Sequence, residues 1–370
     1  MAVTGNAPQG SKYFDVLGGR ASAVSTLIGP NGSGKTTLLK SVAVLNHLIS
    51  ESMTSSMPMR MLYQPFAVDQ MKAKKPTMFN VVFGEDDETY DYTVKLFKGR
   101  IVHESMNLTT VATVRAASKK IFSRQWFDKS KSYEFSTPGL QFKNIIEKTP
   151  EDNLKKTSVI AFASFLGDPV SRKVTSYWDN IKTNIEFSHS VFYGTGEVWS
   201  VLSKLDDKSP ATEEFMKEVL SYLPTTKEFD FKKGDFIQID GDKTYAVDIN
   251  SLSSGTKQLV IILDKLKYVL DHGGVAVIDE FDAYLHPSWL ASLVTQFFDH
   301  IKNPKGAQLI MSTHSIQIIN QLDKYQVNIV ENQAGSTEIT RLDQIEGVRS
   351  VEDFFGNYMG GKYGGVPVTP

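Results

Sequence analysis

The chain has 370 residues, of which 41% are hydrophobic and 22% are charged, and its formal net charge is −2. This length allows one large domain or two modest ones, and the near-neutral balance gives no global positive field of the kind that attracts nucleic acid. The lack of cysteine in these residues excludes disulfides, zinc–thiolate sites and thiol catalysis.

The segment before residue 20 mixes glycine, asparagine, glutamine, lysine and aspartate, without the apolar core of a secretory signal. Elsewhere no apolar run reaches the length that is needed to cross a bilayer. We therefore expect a cytoplasmic protein without a membrane anchor of its own.

The first part of the chain combines a strand, a helix and a meander. Residues 23–28 are apolar and predict a buried strand, and residues 36–50 carry leucine and valine at helical spacing. Residues 59–63 predict a further strand. Residues 77–106 hold short apolar segments separated by turn residues, a pattern that predicts an antiparallel meander.

The rest of the chain changes in pattern twice. Residues 110–223 predict mostly helix, and residues 236–249 predict a hairpin that turns at Gly241 and Asp242. The later α/β elements are predicted as a helix at 255–270, a strand at 275–278, a helix at 287–300 and a strand at 308–312. No sustained heptad repeat occurs, so we expect no long coiled coil.

A glycine-rich loop lies between the first predicted strand and helix. Residues 29–37 read GPNGSGKTT and match the P-loop pattern G-x-x-x-x-G-K-[ST]. Glycines let backbone N–H groups surround phosphate oxygens, and the following helix directs its free N–H groups at the anion. We expect ATP to be bound by Gly29, Pro30, Asn31, Gly32, Ser33, Gly34, Lys35, Thr36 and Thr37. Lys35 would contact the β- and γ-phosphates, and the Thr36 hydroxyl would ligate Mg²⁺.

Two acidic residues follow the predicted strand at 275–278. Asp279 is placed to hold Mg²⁺, and Glu280 to orient the attacking water and accept its proton. The plain alternative is a strand that ends in solvated acids. The P-loop upstream favours the catalytic interpretation, because carboxyl ends of parallel strands share one edge of a sheet.

Three further segments carry a family resemblance. Residues 252–258 (LSSGTKQ) resemble the ABC signature motif, although Ser254 and Thr256 depart from its usual form. Residues 308–315 (QLIMSTHS) resemble the switch-histidine strand, and residues 279–287 (DEFDAYLHP) resemble a Walker B and D-loop segment. Together with the terminal GGKYGG, they resemble stand-alone ABC/SMC-like ATPases of the OLD/RecF-like branch, found in bacterial anti-phage defence and toxin–antitoxin-like systems.

This resemblance implies an α/β fold with a mixed sheet and an antiparallel β-subdomain. It implies that Ser253, Ser254 and Gly255 contact the γ-phosphate held by a second copy of the chain. It also implies that His314 polarises the γ-phosphate held by its own chain and the attacking water. It also implies a glutamine near Mg²⁺, for which Gln64 is the candidate and Gln70 the competitor.

Because Lys35 and Asp279 would act on one ATP, the two halves that carry the motifs must meet. We expect residues 1–110 and 245–370 to form a discontinuous ATPase head, with a mainly helical subdomain inserted at 111–244. The expected function is an ATP-dependent dimer or higher oligomer that controls a separately encoded effector, a nuclease or toxin, in defence. The alternatives are a RecF-like ATPase that clamps DNA and, less well matched, the nucleotide-binding subunit of a transporter.

Several residues keep two interpretations. Tyr13 or Phe14 could stack on adenine or simply belong to a core. Residues 119–135 interleave aromatic and basic residues, which suits nucleic acid but also an amphipathic helix with a solvated face. Ser253 could be an ordinary helix cap. His286 could bind a metal with Asp282, although a structural turn fits its neighbour Pro287 better.

Overall fold

The computed structural model describes residues 2–3, 10, 12–16, 19–62, 74–85, 87–112, 115–185, 195–204, 209–223, 226–230, 235–283, 285–333 and 335–366. The chain divides into two compact units. The first holds Met1–Pro8, Tyr13–Ala21 and Thr37–Ile181, and the second holds Gln9–Lys12, Ser22–Thr36 and Lys182–Pro370. These limits differ from the predicted head and insert, whose boundaries stay a prediction. Within the described ranges, no helix is long and apolar enough to span a bilayer.

The strands are β1 (Ala2–Val3), β2 (Tyr13–Val16), β3 (Gly19–Ser22), β4 (Val24–Ile28), β5 (Thr77–Glu85), β6 (Glu88–Phe97), β7 (Arg100–Ala112), β8 (Arg115–Phe127), β9 (Ser132–Ser136), β10 (Ile181–Thr183), β11 (Thr226–Asp230), β12 (Asp235–Asp240), β13 (Lys243–Asp248), β14 (Val275–Ile278), β15 (Gln308–Ser312), β16 (Val327–Gln333) and β17 (Ser336–Arg341). The α-helices are α1 (Lys35–Asn46), α2 (Met59–Leu62), α3 (Lys143–Lys148), α4 (Glu151–Leu154), α5 (Val159–Leu166), α6 (Pro169–Asp179), α7 (Thr195–Leu202), α8 (Pro210–Ser221), α9 (Ser254–His272), α10 (Pro287–Gln296) and α11 (Phe354–Met359). A π-helical turn at His47–Glu51 extends α1, and 3₁₀ turns occur at Ile249–Ser251, Ile316–Gln321 and Leu342–Gln344.

The first unit contains a five-stranded antiparallel meander in the order β5-β6-β7-β8-β9. In β6 the side chains of Tyr90, Tyr92, Val94 and Leu96 are buried, while the residues between them are more exposed. This alternation places one face of the meander in the core. The predicted meander at residues 77–106 is therefore confirmed.

Two predictions for the first unit are wrong. Residues 115–136, predicted as helix, form β8 and β9, where buried Arg124 occupies a core-facing position and so hid the period-two pattern. Residues 59–62, predicted as strand, form α2; methionine, arginine and leucine favour helix, and a short apolar run does not by itself distinguish the two structures. Helices do follow from α3 onward, as the pattern predicted.

The second unit contains a six-stranded sheet in the order β10-β14-β15-β4-β16-β17. Strands β14, β15, β4 and β16 run parallel, and β17 is antiparallel to β16. Every residue of β14 and β4 is buried, as expected for inner parallel strands. The predicted strands at 23–28, 275–278 and 308–312 are confirmed, and their carboxyl ends meet at one edge of this sheet.

The remaining second-unit predictions are also confirmed in type. Strands β12 and β13 form the expected hairpin around Gly241 and Asp242, with β11 as a third antiparallel strand. Helices α9 and α10 precede and follow the segment that contains β14. The molecule thus has the predicted mixed α/β fold with antiparallel β-structure.

Candidate functional site

The glycine-rich loop connects β4 to α1 and is packed against the hairpin of β16 and β17. Gly29 has a φ of 155° and Gly34 a φ of 106°, in the region that favours glycine. A Cβ atom on Gly29 would overlap the carbonyl oxygen of Val330, and one on Gly34 would overlap the side chain of Thr337. Gly32 has a φ of 76° but faces open space. Two of the three glycines are therefore required by close contact as well as by conformation.

Specific hydrogen bonds hold the same loop. The Thr337 hydroxyl donates to the carbonyl of Ser33 at 2.9 Å. The ammonium of Lys35 donates to the carbonyls of Gly29 at 2.8 Å and Pro30 at 3.1 Å. The Ser33 hydroxyl is buried and has no hydrogen-bond partner among the described residues.

The predicted phosphate-binding residues differ in exposure. Lys35 is only 6% exposed and Thr36 is half-buried, both in the first turn of α1. Asn31, Gly32 and Thr37 are exposed. The loop therefore presents an accessible rim around a buried ammonium group.

Three acidic residues of the second unit interact electrostatically with Lys35. Burial lowers the pKa of Lys35 below its usual 10.5, and the negative charges of Asp279, Glu280 and Asp282 act in the opposite direction. The negative charges of the acids that follow β14 therefore act on the ammonium of Lys35, and a shared role of these residues on one ATP stays a prediction.

Ser312, the last residue of β15, connects the two acids after β14. Its hydroxyl donates to the carboxylate of Asp279 and accepts from the backbone N–H of Glu280, at 2.8 Å. Glu280 has a φ of 49°, which is uncommon for a residue with a side chain, and its side chain is exposed. The neighbouring strand therefore fixes the turn on which Glu280 is presented.

His314 is joined to the same segment. Its backbone N–H donates to the carboxylate of Asp282 at 2.9 Å, and the N–H of Phe281 donates to the carbonyl of Ser312 at 2.9 Å. The His314 side chain is exposed. The ends of β14 and β15 thus present Asp279, Glu280 and His314 side by side.

Asn184, which no sequence motif indicated, contacts the backbone of Asp279. Its side-chain oxygen accepts from the N–H of Asp279 at 2.8 Å, and its side-chain nitrogen donates to the carbonyl of Asp279 at 2.9 Å. No motif surrounds Asn184, so nothing in the sequence could have identified it. Ser312 was within reach of the analysis, because it belongs to the segment that resembles the switch-histidine strand.

The signature-like segment begins α9. The Ser253 hydroxyl accepts from the N–H of Thr256 at 3.1 Å and lies 2.9 Å from the Thr256 hydroxyl. Ser253 and Ser254 are exposed, Gly255 is half-buried, and Leu252 anchors the segment in the core. Ser253 is therefore a helix cap, and its role toward a second subunit stays a prediction.

Other candidate residues have mostly structural surroundings. His286 caps α10, since its Nδ1 accepts from the N–H of Ser288 at 3.3 Å. Tyr13 is buried on β2, and Phe14 beside it is half-buried. Gln64 and Gln70 lie outside the described residues. Within the described part of the chain, no group of three or more histidine, cysteine, aspartate or glutamate residues could hold a metal ion.

The aromatic and basic residues of the segment 119–135, predicted to suit nucleic acid, lie on β8, on β9 and in the turn between them. The guanidinium of Arg100 stacks over Trp126 at 3.6 Å from the ring centre. Arg124 is buried and pairs with Glu104 at 2.7 Å. Lys119 and Lys120 are exposed. Arg124 is thus engaged inside the protein and is unavailable to a polyanion.

Comparison with known proteins identifies the family of this chain. The family described as "AAA domain, putative AbiEii toxin, Type IV TA system" matches residues 24–320. The chain belongs to this family. The matched region of this AAA-domain protein includes the P-loop, the signature-like segment, Asp279, Glu280 and His314, and the predicted resemblance to stand-alone defence-associated ATPases is confirmed.

Two curated relatives are similar to the AAA-domain chain. The Retron Ec83 probable ATPase of Escherichia coli is 24% identical over 241 residues, which are 58% of this chain and 44% of that protein. The Retron Vc95 probable ATPase of Vibrio cholerae serotype O1 biovar El Tor is 30% identical over 103 residues, 27% of this chain and 19% of that protein. The matched regions thus span less than half of each relative.

Among solved structures, an Smc head bound to the C-winged helix domain of ScpA is 12% identical, with a TM-score of 0.36, and the match covers 86% of this chain and 89% of that one. CbiO1 of Clostridium perfringens, part of the ABC transporter complex cbiONQ, is 12% identical with a TM-score of 0.31, covering 90% and 88%. Similarities of this size do not decide the function of the AAA-domain chain.

Proposed function

We propose that this AAA-domain protein is an ATPase that binds ATP at the P-loop and hydrolyses it with Glu280 as the base. The observation that carries the proposal is geometric: β14, β15 and β4 run parallel in one sheet, so Asp279 and Glu280 after β14 lie at the same edge as the loop after β4 that holds the buried Lys35. Names of the curated relatives, each a probable ATPase, support the same activity.

In this proposal the loop holds the phosphates in two ways. The N–H groups at the start of α1 and the Lys35 ammonium provide positive charge for the β- and γ-phosphates. The buried Ser33 hydroxyl, which has no hydrogen-bond partner among the described residues, supplies a donor that a phosphate oxygen would satisfy. ATP is therefore expected to satisfy polar groups that the loop already presents.

Glu280 and His314 act on the other side of the γ-phosphate. Glu280 accepts a proton from the attacking water, and its exposed side chain leaves room for that water. His314 stabilises the charge that develops on the phosphoryl oxygens. The Ser312 hydroxyl donates to the Asp279 carboxylate and accepts from the backbone N–H of Glu280, so it holds the Asp279 carboxylate while leaving the Glu280 carboxylate available for the water.

The residues present also fit Mg²⁺. Three carboxylates act on one ammonium group, so the site already has an excess of negative charge that phosphates would increase. Asp279 and the Thr36 hydroxyl would hold the ion, which in proteins prefers oxygen ligands and keeps phosphate oxygens and water in its coordination shell. When bound, Mg²⁺ would neutralise charge on the phosphates.

We further propose that ATP joins two copies of the chain, with Ser253, Ser254 and Gly255 of one copy facing the γ-phosphate of the other. Hydrolysis would then release the pair, and the two states would control a separate effector in the cytoplasm. The retron names of the relatives favour a defence role. The alternative function, a DNA clamp, would use exposed basic residues such as Lys119 and Lys120. It predicts a DNA affinity that falls steeply as the salt concentration rises.

The deciding experiment compares wild type, Glu280→Gln and the control Glu346→Gln, which changes an exposed acid outside the site. Phosphate release should fall at least about 100-fold in Glu280→Gln and stay unchanged in the control. ATP binding, measured by calorimetry, should persist in all three proteins. Equal release by wild type and Glu280→Gln would contradict the proposed base.

Solution mass of Glu280→Gln with ATP and Mg²⁺ tests the dimer. Growth from monomer to dimer on adding ATP supports the paired sites. A mass that stays monomeric contradicts them, and an oligomer that forms equally without ATP contradicts the proposal that the nucleotide joins the copies.

A further inference from the structure

Asn184 lies directly after β10, the edge strand beside β14, and pairs with the backbone of Asp279 in both directions. Its carboxamide accepts the Asp279 N–H and donates to the Asp279 carbonyl, so it contacts that residue as a neighbouring strand would. The pairing continues the sheet by one residue, to the position where the catalytic acids begin.

The residue that follows this pairing has an unusual backbone. Glu280 has a φ of 49°, and a residue with a Cβ persists in that region only where its surroundings impose it. Two side chains constrain the peptides on either side: Asn184 holds Asp279, and Ser312 accepts the N–H of Glu280 at 2.8 Å. Both constraints act on the backbone and leave the Glu280 carboxylate exposed.

We propose that Asn184 is a positioning residue for hydrolysis, acting through the backbone of Asp279 to hold Glu280 in its left-handed conformation. The inference rests on the proposed ATPase function. Asn184 is not proposed to touch ATP, because its side-chain oxygen and one of its side-chain N–H groups are engaged with Asp279. A misplacement of about 1 Å at a reacting group can lower a rate by about 100-fold.

The chemistry of the contact explains why asparagine is needed. A carboxamide both accepts and donates, whereas a carboxylate of the same shape only accepts. Asn184→Asp would keep the acceptor for the Asp279 N–H but lose the donor to its carbonyl. It would also place a further negative charge beside the acids that act on Lys35.

The test compares Asn184→Ala and Asn184→Asp with the matched control Asn320→Ala. Asn320 lies in the same unit, and its carboxamide also donates once, to Asp353, and accepts once, from the N–H of Phe355. We expect kcat to fall about 10- to 100-fold in both Asn184 variants, while the ATP dissociation constant changes less than about threefold. The control should keep the wild-type kcat, and thermal unfolding of all variants monitors their folding.

A double-variant cycle separates positioning from general stability. In the Glu280→Gln background, single-turnover hydrolysis of radiolabelled ATP should change less than about twofold on adding Asn184→Ala, because residues that act as one unit are not additive. A full additional loss in that background, or an unchanged kcat in the Asn184 variants, would overturn the inference. A wild-type protein without hydrolysis would instead overturn the proposed ATPase function itself.

Discussion

Arg124 offers a prediction about stability that also bears on the nucleic-acid alternative. Its guanidinium and the Glu104 carboxylate are both fully buried and lie 2.7 Å apart. Arg124 also donates to the carbonyls of Leu154 at 2.8 Å and Thr157 at 2.7 Å. Arg124→Met would leave the Glu104 charge buried without its partner, which costs about 3–5 kcal/mol of unfolding free energy.

The assay is urea unfolding of Arg124→Met, Glu104→Leu and the double variant. We expect each single variant to lose stability and the double variant to recover only part of it. The apolar pair removes the unpaired charge but leaves the hydroxyls of Tyr92 and Ser158 and the N–H of Val159 without the acceptor that Glu104 provides. Lys173→Met, which breaks the partly exposed pair with Glu88, is the control and should cost less than about 1 kcal/mol.

The refuting result would be an Arg124→Met protein within about 1 kcal/mol of wild type. A selective loss of DNA affinity at unchanged stability would also refute the reasoning, because it would require Arg124 to face solvent. The second outcome would restore nucleic-acid contact as an interpretation of residues 119–135.

Two shorter predictions concern the P-loop and the buried tyrosine of the meander. Gly34→Ala should raise the ATP dissociation constant, measured by calorimetry, more than Gly32→Ala does, because a Cβ at position 34 would overlap Thr337 while one at position 32 would face open space. Equal increases of the dissociation constant in the two variants would contradict this expectation. Burial and the nearby Glu104 raise the pKa of Tyr92 well above 10.0, so its contribution to stability is complete below about pH 10 and is lost as the pH rises through its folded-state pKa. Urea unfolding of both proteins above about pH 10 should show that Tyr92→Phe loses less unfolding free energy with rising pH than wild type does. The same pH dependence of stability in both proteins would contradict a contribution from the buried Tyr92 hydroxyl.

Short apolar runs followed by functional residues made much of the second unit predictable. Strand β14 is wholly apolar and β4 and β15 are mostly so, and each strand ends at a glycine, an acid or a hydroxyl that changes the pattern at once. Since parallel strands end at the same edge, the sequence also predicted that Lys35 and Asp279 would share a site.

Contacts between distant segments could not be predicted in the same way. Asn184 meets Asp279 across 95 positions, and Thr337 meets Ser33 across 304. The sequence around Asn184 or Thr337 contains no local pattern that indicates the distant residue it contacts. Arg124 was unpredictable for a related reason: a charged residue is expected to face solvent unless a buried partner such as Glu104 is known.

The surroundings of the three P-loop glycines account for which positions of the motif require glycine. The pattern G-x-x-x-x-G-K-[ST] demands glycine at the positions of Gly29 and Gly34 but accepts any residue at that of Gly32. The demanded positions are those where a side chain would overlap Val330 or Thr337, and the free position is the one that faces open space. The local P-loop motif is therefore also shaped by contacts with a hairpin about 300 residues away in the chain. Substitutions in β16 or β17 should consequently change which residues the loop can accept at positions 29 and 34.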